Sequence, residues 1–346
     1  MNFKFKNPFS NFKLDQNNII IIATLSLLIL LYTIGAFQFR GFLSVQVFFN
    51  FFIDNAHIMI VATGLAFVII TGGIDLSIAS VIALISMISA SLLQQGMNPY
   101  VVMMICLVIG IIFGSLQGYL IYRFRLHPWI VTLAGMFFAR GSSYLISTES
   151  IVITNKVYNQ ISKHKFYVLG DAYISVSVVI AIIVVIAAIF IGKYSRFGRA
   201  VYAIGGSEKS AVLMGLPVKS VTILVYSLSS FCAALGGIVF TFYMLSGYSL
   251  HLLGAEMDAI AACVIGGILL TGGFGYIIGP TLGVLCMGII QTMIMFQGSL
   301  SSWWTKIVIG FLLFVFIVLQ RVIVMRQGKK WAFRKGNKKV NTNLSK

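Results

Sequence analysis

The sequence predicts an all-α, polytopic membrane protein with about ten transmembrane helices and an internal repeat. Three observations carry that prediction. Of 346 residues, 59% are hydrophobic and only 10% charged, where a soluble domain carries roughly a quarter, and mean hydropathy is +0.99. The apolar residues gather into runs of about the length that crosses a bilayer. A Thr-Gly-Gly triplet occurs twice, at Thr71–Gly73 and Thr271–Gly273, as expected of two related halves. A water-soluble globule is excluded, because so few charged side chains cannot cover a surface while the apolar majority fills one core.

Taken in order, a short polar segment at about 1–18 precedes a first span at about 19–37. This run is too long for the core of a signal peptide and lacks a small-x-small cleavage site, so it is read as retained. Further spans are expected at about 56–70, 74–93, 99–121, 128–147, 173–192, 220–244, 257–271, 276–296 and 303–320, giving a membrane domain of 19–320 and a basic tail of 321–346. The second and eighth are short and run into glycine pairs. They must include part of their glycine joints or draw on neighbours such as the apolar stretch at 42–53.

The bases set the orientation. With the N-terminus inside, nineteen lysines and arginines fall on the cytoplasmic side, among them Arg123, Arg125, Lys193, Arg196, Arg199, Lys209, Lys219 and the nine from Arg321 onward. Only Arg40, Lys156, Lys163 and Lys165 fall outside, so both termini are expected inside. A net charge of +17 would suggest nucleic acid in a soluble protein, but here the tail is read as an anchor to anionic membrane lipid. Cys106, Cys232, Cys263 and Cys286 sit within apolar runs without CxxC spacing, and the four histidines are scattered singly, so neither disulfides nor a metal site is expected.

The repeat extends beyond the triplets, since Val68–Gly73 (VIITGG) and Ile268–Gly273 (ILLTGG) are each followed by an isoleucine and a small residue, Ile78-Ala79 and Ile278-Gly279. Glycine-broken spans in matching places of two halves point to a transport path, because unwound backbone is tolerated only where it faces protein or water. Glycines that merely let helices approach closely are the competing explanation. Whether the halves are parallel or inverted is left open by the span count.

Asp75, in the run TGGIDLS ending at Ser77, has apolar sequence on both sides and needs a partner or water. It serves either as N-cap of the third span or as a contact to substrate or a gate. Arg140 lies about twelve residues into the fifth span and either snorkels outward or pairs with Asp75, Glu256 or Asp258. Glu256 and Asp258 open the eighth span, where a helix N-terminus favours carboxylates. Trp303, Trp304 and Lys306 form an interfacial belt or a sugar-stacking face. The outward loop from Thr148 to Ala172 is expected to hold a short amphipathic or extended segment.

One soluble stretch is more informative. In Gly205–Pro217, Ser207 suits an N-cap, Glu208 the first helical turn, Gly215 the position just past the helix and Pro217 a stop. A helix of about two turns follows, and Ala211, Val212, Leu213 and Met214 give it an apolar surface suited to insertion into another protein or to lying on lipid. No GxxxxGK[ST] phosphate loop is present, so the chain does not bind and hydrolyse ATP in that way. The few intramembrane acids argue against a proton-driven carrier, and no nucleophile-base set marks an enzyme.

The TGGIDLS run, Tyr202–Ser207 with its following short helix, and Asp258–Ala261 leading into Ile265–Gly273 resemble the ribose/xylose-type family of ABC sugar-importer permeases, over about 51–321. Thr132–Gly141, Thr148–Ile151 and Gly298–Lys306 look most like its galactofuranose-transporting members. Ala139-Arg140 and Pro280 depart from that pattern and suit a different monosaccharide such as ribose, xylose or galactose. The resemblance implies a bacterial inner-membrane importer with this chain as one permease and a related second permease beside it. It implies ATPase subunits on separate chains that use the ATP, an extracytoplasmic sugar-binding protein, and no cofactor bound by this chain. Gly206, Ser207, Glu208, Ala211, Leu213 and Gly215 match the family's coupling loop, within about 193–219. Thr71, Gly72, Gly73, Asp75, Ser77, Arg140, Asp258, Thr271, Gly272, Gly273 and Trp303 are the candidates for the substrate path.

Overall fold

The computed structural model describes residues 16–301 and 303–320. The lysines of the N-terminal segment and the basic tail from Arg321 lie outside the described residues. Among the described residues, eight helices are long and apolar enough to span a bilayer: α1 (Gln16–Gln38), α2 (Val45–Ile70), α4 (Pro99–Phe124), α5 (Pro128–Ile146), α7 (Val176–Tyr194), α10 (Val218–Met244), α12 (Gly279–Gln297) and α13 (Trp303–Gln320). Two shorter apolar helices, α3 (Ile78–Gln94) and α11 (Ala255–Ile265), occupy the remaining expected positions. Three segments lie outside the spans in helical form: α6 (Lys156–Lys163), α8 (Arg196–Gly206) and α9 (Glu208–Leu213).

Two expected spans are corrected. The second draws on the apolar stretch at 42–53, one of the two ways expected for lengthening it, and begins at Val45 instead of about residue 56, because Ser44, in extended conformation, accepts from the Val47 amide and starts the helix early. Polar residues inside this added stretch find partners: the Asn55 amide donates to the Phe51 carbonyl, and Asp54 accepts from Tyr243. The eighth is no span of 257–271. Helix α11 stops at Ile265, where the Ile268 amide bonds back to the Cys263 carbonyl at 2.9 Å across Gly267, whose φ is +94°. Its 11 residues rise about 16 Å, half a bilayer.

The loop between α5 and α7 contains both segment types expected of it. Strand β1 (Ile151–Val152) precedes α6, and β2 (Lys165–Leu169) forms an antiparallel hairpin with β3 (Ala172–Ser175). β1 pairs with β4 (Ser246–Gly247) just past α10, so the connections at this end of the bundle are tied together.

Helix α10 is the central post, packed against α4, α2 and α3. Lipid tails are as apolar as leucine, so burial alone does not hold helices together in a membrane, whereas close backbone packing does. On α4, Gly110, Gly114 and Gly118 present one smooth face to α10, and a methyl on Gly110 would lie 2.7 Å from the Ser230 carbonyl oxygen. A smaller aromatic cluster of Phe42 and Phe51, joined by Ile289, closes the opposite end of α2.

Candidate translocation and coupling site

The two Thr-Gly-Gly triplets touch each other. Gly72 and Gly272 adopt nearly the same left-handed turn, with φ of +84° and +80°, a conformation that only glycine takes without strain. The Gly273 amide donates to the Ile70 carbonyl at 2.8 Å, and a Cβ on Gly272 would come within 2.8 Å of the Gly72 nitrogen. Eight residues back along α2, Ala62 accepts from the Cys263 thiol of α11. The two helix-to-joint segments therefore run side by side in the same direction, which settles locally what the span count left open. They are not identical: α2 ends at its triplet, whereas α11 ends before its own and the second triplet forms a separate turn.

A third element sits on this double joint. The last residues of α8, Gly205 and Gly206, lie so close that a Cβ on Gly205 would overlap the Ile70 carbonyl oxygen, and one on Gly273 would approach Gly206 to 2.9 Å. Tyr202, one turn earlier on α8, donates its hydroxyl to the Gly275 carbonyl at 2.9 Å. Burial, with Tyr276 beside it, pushes the Tyr202 phenol up to about 12, so it remains a donor at neutral pH.

From this seat the chain enters α9. Ser207, extended at φ −168°, accepts from the Ser210 amide, and Gly215, at φ +74°, closes the helix with a Leu216-to-Ala211 bond. Ala211 is buried against the bundle while Leu213 is 88% exposed, with Val212 and Met214 beside it also exposed. Glu208 and Lys209 border a cavity of about 990 Å³ that reaches from α9 to Thr71, Gly72 and Gly73 and is flanked by Arg123 and Arg125.

Asp75 is sealed inside the protomer, with no exposure at all. Its Oδ1 accepts from the Ser77 amide at 3.0 Å and the Ser77 hydroxyl at 2.6 Å, and its Oδ2 accepts from the Ser229 hydroxyl of α10 at 2.8 Å. Ser77, not Asp75, occupies the N-cap position of α3, so the carboxylate braces the joint through an Asx turn instead of capping the helix. Gln117 Oε1 lies 3.3 Å from the Ser77 hydroxyl, and Thr132 of α5 donates to the Ile74 carbonyl. Within this layer, Tyr226 Oη, Gln117 Nε2 and Ser230 Oγ have no partner among the described residues.

The remaining candidates stand apart. Arg140 is eight residues beyond Thr132, about 12 Å farther along α5; of the acids expected to partner it, Glu256 is near enough to act on its charge but forms no direct ion pair, and Asp258 pairs elsewhere. Its guanidinium donates to the Ser249 and His251 carbonyls of the α10–α11 connection, the direction snorkelling requires, but with protein carbonyls as partners. Burial and the adjacent Arg140 push the His251 imidazole below its ordinary value. Asp258 forms an ion pair with Lys306, tying α11 to α13, while Trp303 is 76% exposed. The structure thus unites Thr71–Gly73, Thr271–Gly273 and Gly206, joins Asp75 to Ser77 beside them, and leaves Arg140, Asp258 and Trp303 elsewhere.

The family described as the branched-chain amino acid transport system permease component matches residues 47–317. The chain belongs to that family. Permeases named for sugars are among its relatives. It is 43% identical over 331 residues to the inner membrane ABC transporter permease protein YjfF of Escherichia coli, covering 95% of this chain and 99% of that one. It is 38% identical to the fructose import permease protein FruG of Bifidobacterium longum, covering 94% and 98%, and 34% identical to the ribose import permease protein RbsC of Bacillus subtilis, covering 76% and 80%. No solved structure matches the chain.

Within this permease, sequence reasoning gave Tyr202 no role beyond opening a motif, and missed Ser229, Gln117 and Asp54. The first three look like ordinary amphipathic or helix-interior residues until the fold places them against a joint. Asp54 does carry a signal, an acid between apolar runs, but it falls just before the expected second span at 56–70.

Proposed function

We propose that this chain is the membrane-spanning permease subunit of an ATP-binding-cassette importer that carries a monosaccharide across a bacterial inner membrane. The observation that carries the reading is the seating of the α8–α9 segment directly on the paired Thr-Gly-Gly joints. A push on α9 has only backbone contacts between it and both broken segments, which is the linkage an alternating-access permease driven from outside requires. Sugar is preferred over amino acid as the cargo class because the relatives of 34–43% identity include permeases named for fructose and ribose. Galactofuranose is the first sugar to test, on the strength of the resemblance in Thr132–Gly141 and Gly298–Lys306.

In this reading both termini are cytoplasmic, and Val212, Leu213 and Met214 enter a groove of a separate ATPase subunit, which uses the ATP. A related second permease completes the path, and an extracytoplasmic sugar-binding protein delivers the cargo. The same reading assigns no cofactor or metal to this chain. The cavity beneath the joint is the inner vestibule, and the candidates Thr71–Gly73, Asp75, Ser77 and Thr271–Gly273 act at its gate.

The test is reconstitution of the four components in proteoliposomes with labelled sugar. Uptake should require ATP and the binding protein, and replacing Glu208 and Gly215 together should abolish it while leaving the protein inserted. Uptake by the purified chain alone under an ion gradient would instead make it a secondary carrier.

A further inference from the structure

The cavity that reaches the joint changes character along its length. Arg123, Arg125 and Lys209 stand with Glu208 at its mouth, whereas Thr71–Gly73, Thr222 and Tyr226 border its inner end, with no charged side chain among them. Helix packing fixes the depth. Tyr226 lies two turns into α10, and a Cβ on Gly114 of α4, nine residues before Arg123, would overlap its carbonyl oxygen. At 1.5 Å of rise per residue, Tyr226 stands about 13 Å deeper than Arg123.

The Tyr226 hydroxyl is the unexplained group there. The side chain is 2% exposed, and its Oη has no hydrogen-bond partner among the described residues. Phenylalanine would fill the same space without stranding a hydroxyl, which is costly in a dry interior. The backbone instead makes room for it. A Cβ on Gly73 would lie 2.4 Å from Oη, so the glycine that ends the first triplet is what lets the hydroxyl sit against the joint.

The surroundings narrow the ligand class. A phenol both donates and accepts a hydrogen bond, as does each hydroxyl of a sugar. A zwitterionic amino acid would need charged partners for its ammonium and carboxylate, and the residues bordering the inner end supply none.

We infer that Tyr226 is a cargo-contacting, specificity-determining residue at the inner end of the vestibule, bonding a sugar hydroxyl once the Thr71–Gly73 joint moves off its Oη. The inference rests on the sugar-import reading and adds to it a named contact within this chain. In the conformation described, Gly73 covers the hydroxyl, so the contact forms only as the gate moves.

The test uses the complete importer in proteoliposomes, given labelled galactose, fructose or ribose and then the monodeoxy analogues of the sugar carried. Tyr226→Phe should lower sugar moved per ATP hydrolysed by about fivefold, the scale of one neutral hydrogen bond, while the detergent-purified variant melts no lower than wild type. With the analogue that lacks the contacted hydroxyl, wild type and Tyr226→Phe should transport equally. Gly73→Ala should lower the melting temperature by crowding Oη, and adding Tyr226→Phe should restore part of it. Wild-type transport by Tyr226→Phe, or the same loss with every analogue, would overturn the contact and leave the import reading intact. A lower melting temperature for Tyr226→Phe, or no restoration in the double variant, would overturn it equally, by making the hydroxyl a structural bond or placing it elsewhere. A wild-type importer that moves none of the three sugars would overturn the import reading, and the contact with it.

Discussion

The Gly273 amide nitrogen lies 2.8 Å from the Ile70 carbonyl oxygen, so the turn that ends α2 and the turn that follows α11 form one hydrogen-bonded unit. Gly205 of α8 packs on the same carbonyl. Three segments far apart in sequence meet at a single oxygen atom, and none of them has a side chain at the contact.

Substitution at this meeting point should be costly. Gly273→Ala puts a Cβ at φ +76° and 2.9 Å from Gly206, and is expected to destabilise the detergent-purified protein by about 1–3 kcal/mol. Gly215→Ala, at a left-handed position with open space around it, should cost about 1 kcal/mol or less. Thermal melting followed by size-exclusion chromatography ranks the two, and equal melting temperatures would contradict the packed joint.

Asp75 is expected to behave as a brace. Asp75→Leu strands the Ser229 hydroxyl and the Ser77 amide in a dry interior, at about 1–3 kcal/mol for each unsatisfied group, and leaves the Ser77 hydroxyl only Gln117. Asp75→Asn keeps one acceptor oxygen and should lose less than half as much. Unimpaired transport by Asp75→Asn in membranes would confine the residue to this bracing role.

Tyr202 supplies a pH signature. Its folded pKa, about 12, lies above the ordinary 10.0, so folding favours the protonated phenol. Its contribution is complete below about pH 10 and is lost as pH rises toward 12. Between those values the wild-type melting temperature should fall more steeply than that of Tyr202→Phe, whereas at pH 7 the variant should be weaker by about 0.5–1.5 kcal/mol for the missing bond to Gly275. Parallel curves would contradict the tether.

Leu213 separates folding from partnership. It is 88% exposed, so Leu213→Asp should change stability by no more than about 0.5 kcal/mol. The same substitution should abolish co-purification of the ATPase and ATP-driven uptake. A variant that retains its ATPase would move the docking surface away from α9.

Much of this was legible from local chemistry. Span-length apolar runs, the caps Ser207 and Gly215, and the repeated triplets are properties of adjacent residues, and backbone hydrogen bonding in lipid leaves such runs little choice but helix. That α2 takes in the 42–53 stretch was legible only as one of two options, because Asn50, Asp54 and Asn55 lower the local hydropathy and their partners lie on the same helix's preceding turn or on α10. The length of α11 was hidden for a related reason. Residues 266–271 are as apolar as a span, yet Gly267 and its Schellman bond end the helix before them.

The sequence by itself determined that the chain is a polytopic helical membrane protein, that two Thr-Gly-Gly turns recur in it at a fixed interval, and that a short capped helix with an apolar face projects from it. These follow from interactions within a few residues along the chain. Only the tertiary structure decided that the two triplets share a contact, that α8 sits on both, that Asp75 is sealed while Asp54 is partly exposed, and that Arg140 serves loop carbonyls. Those outcomes depend on which backbones can approach within hydrogen-bonding distance once ten helices are packed, and glycine permits that approach without specifying its partner.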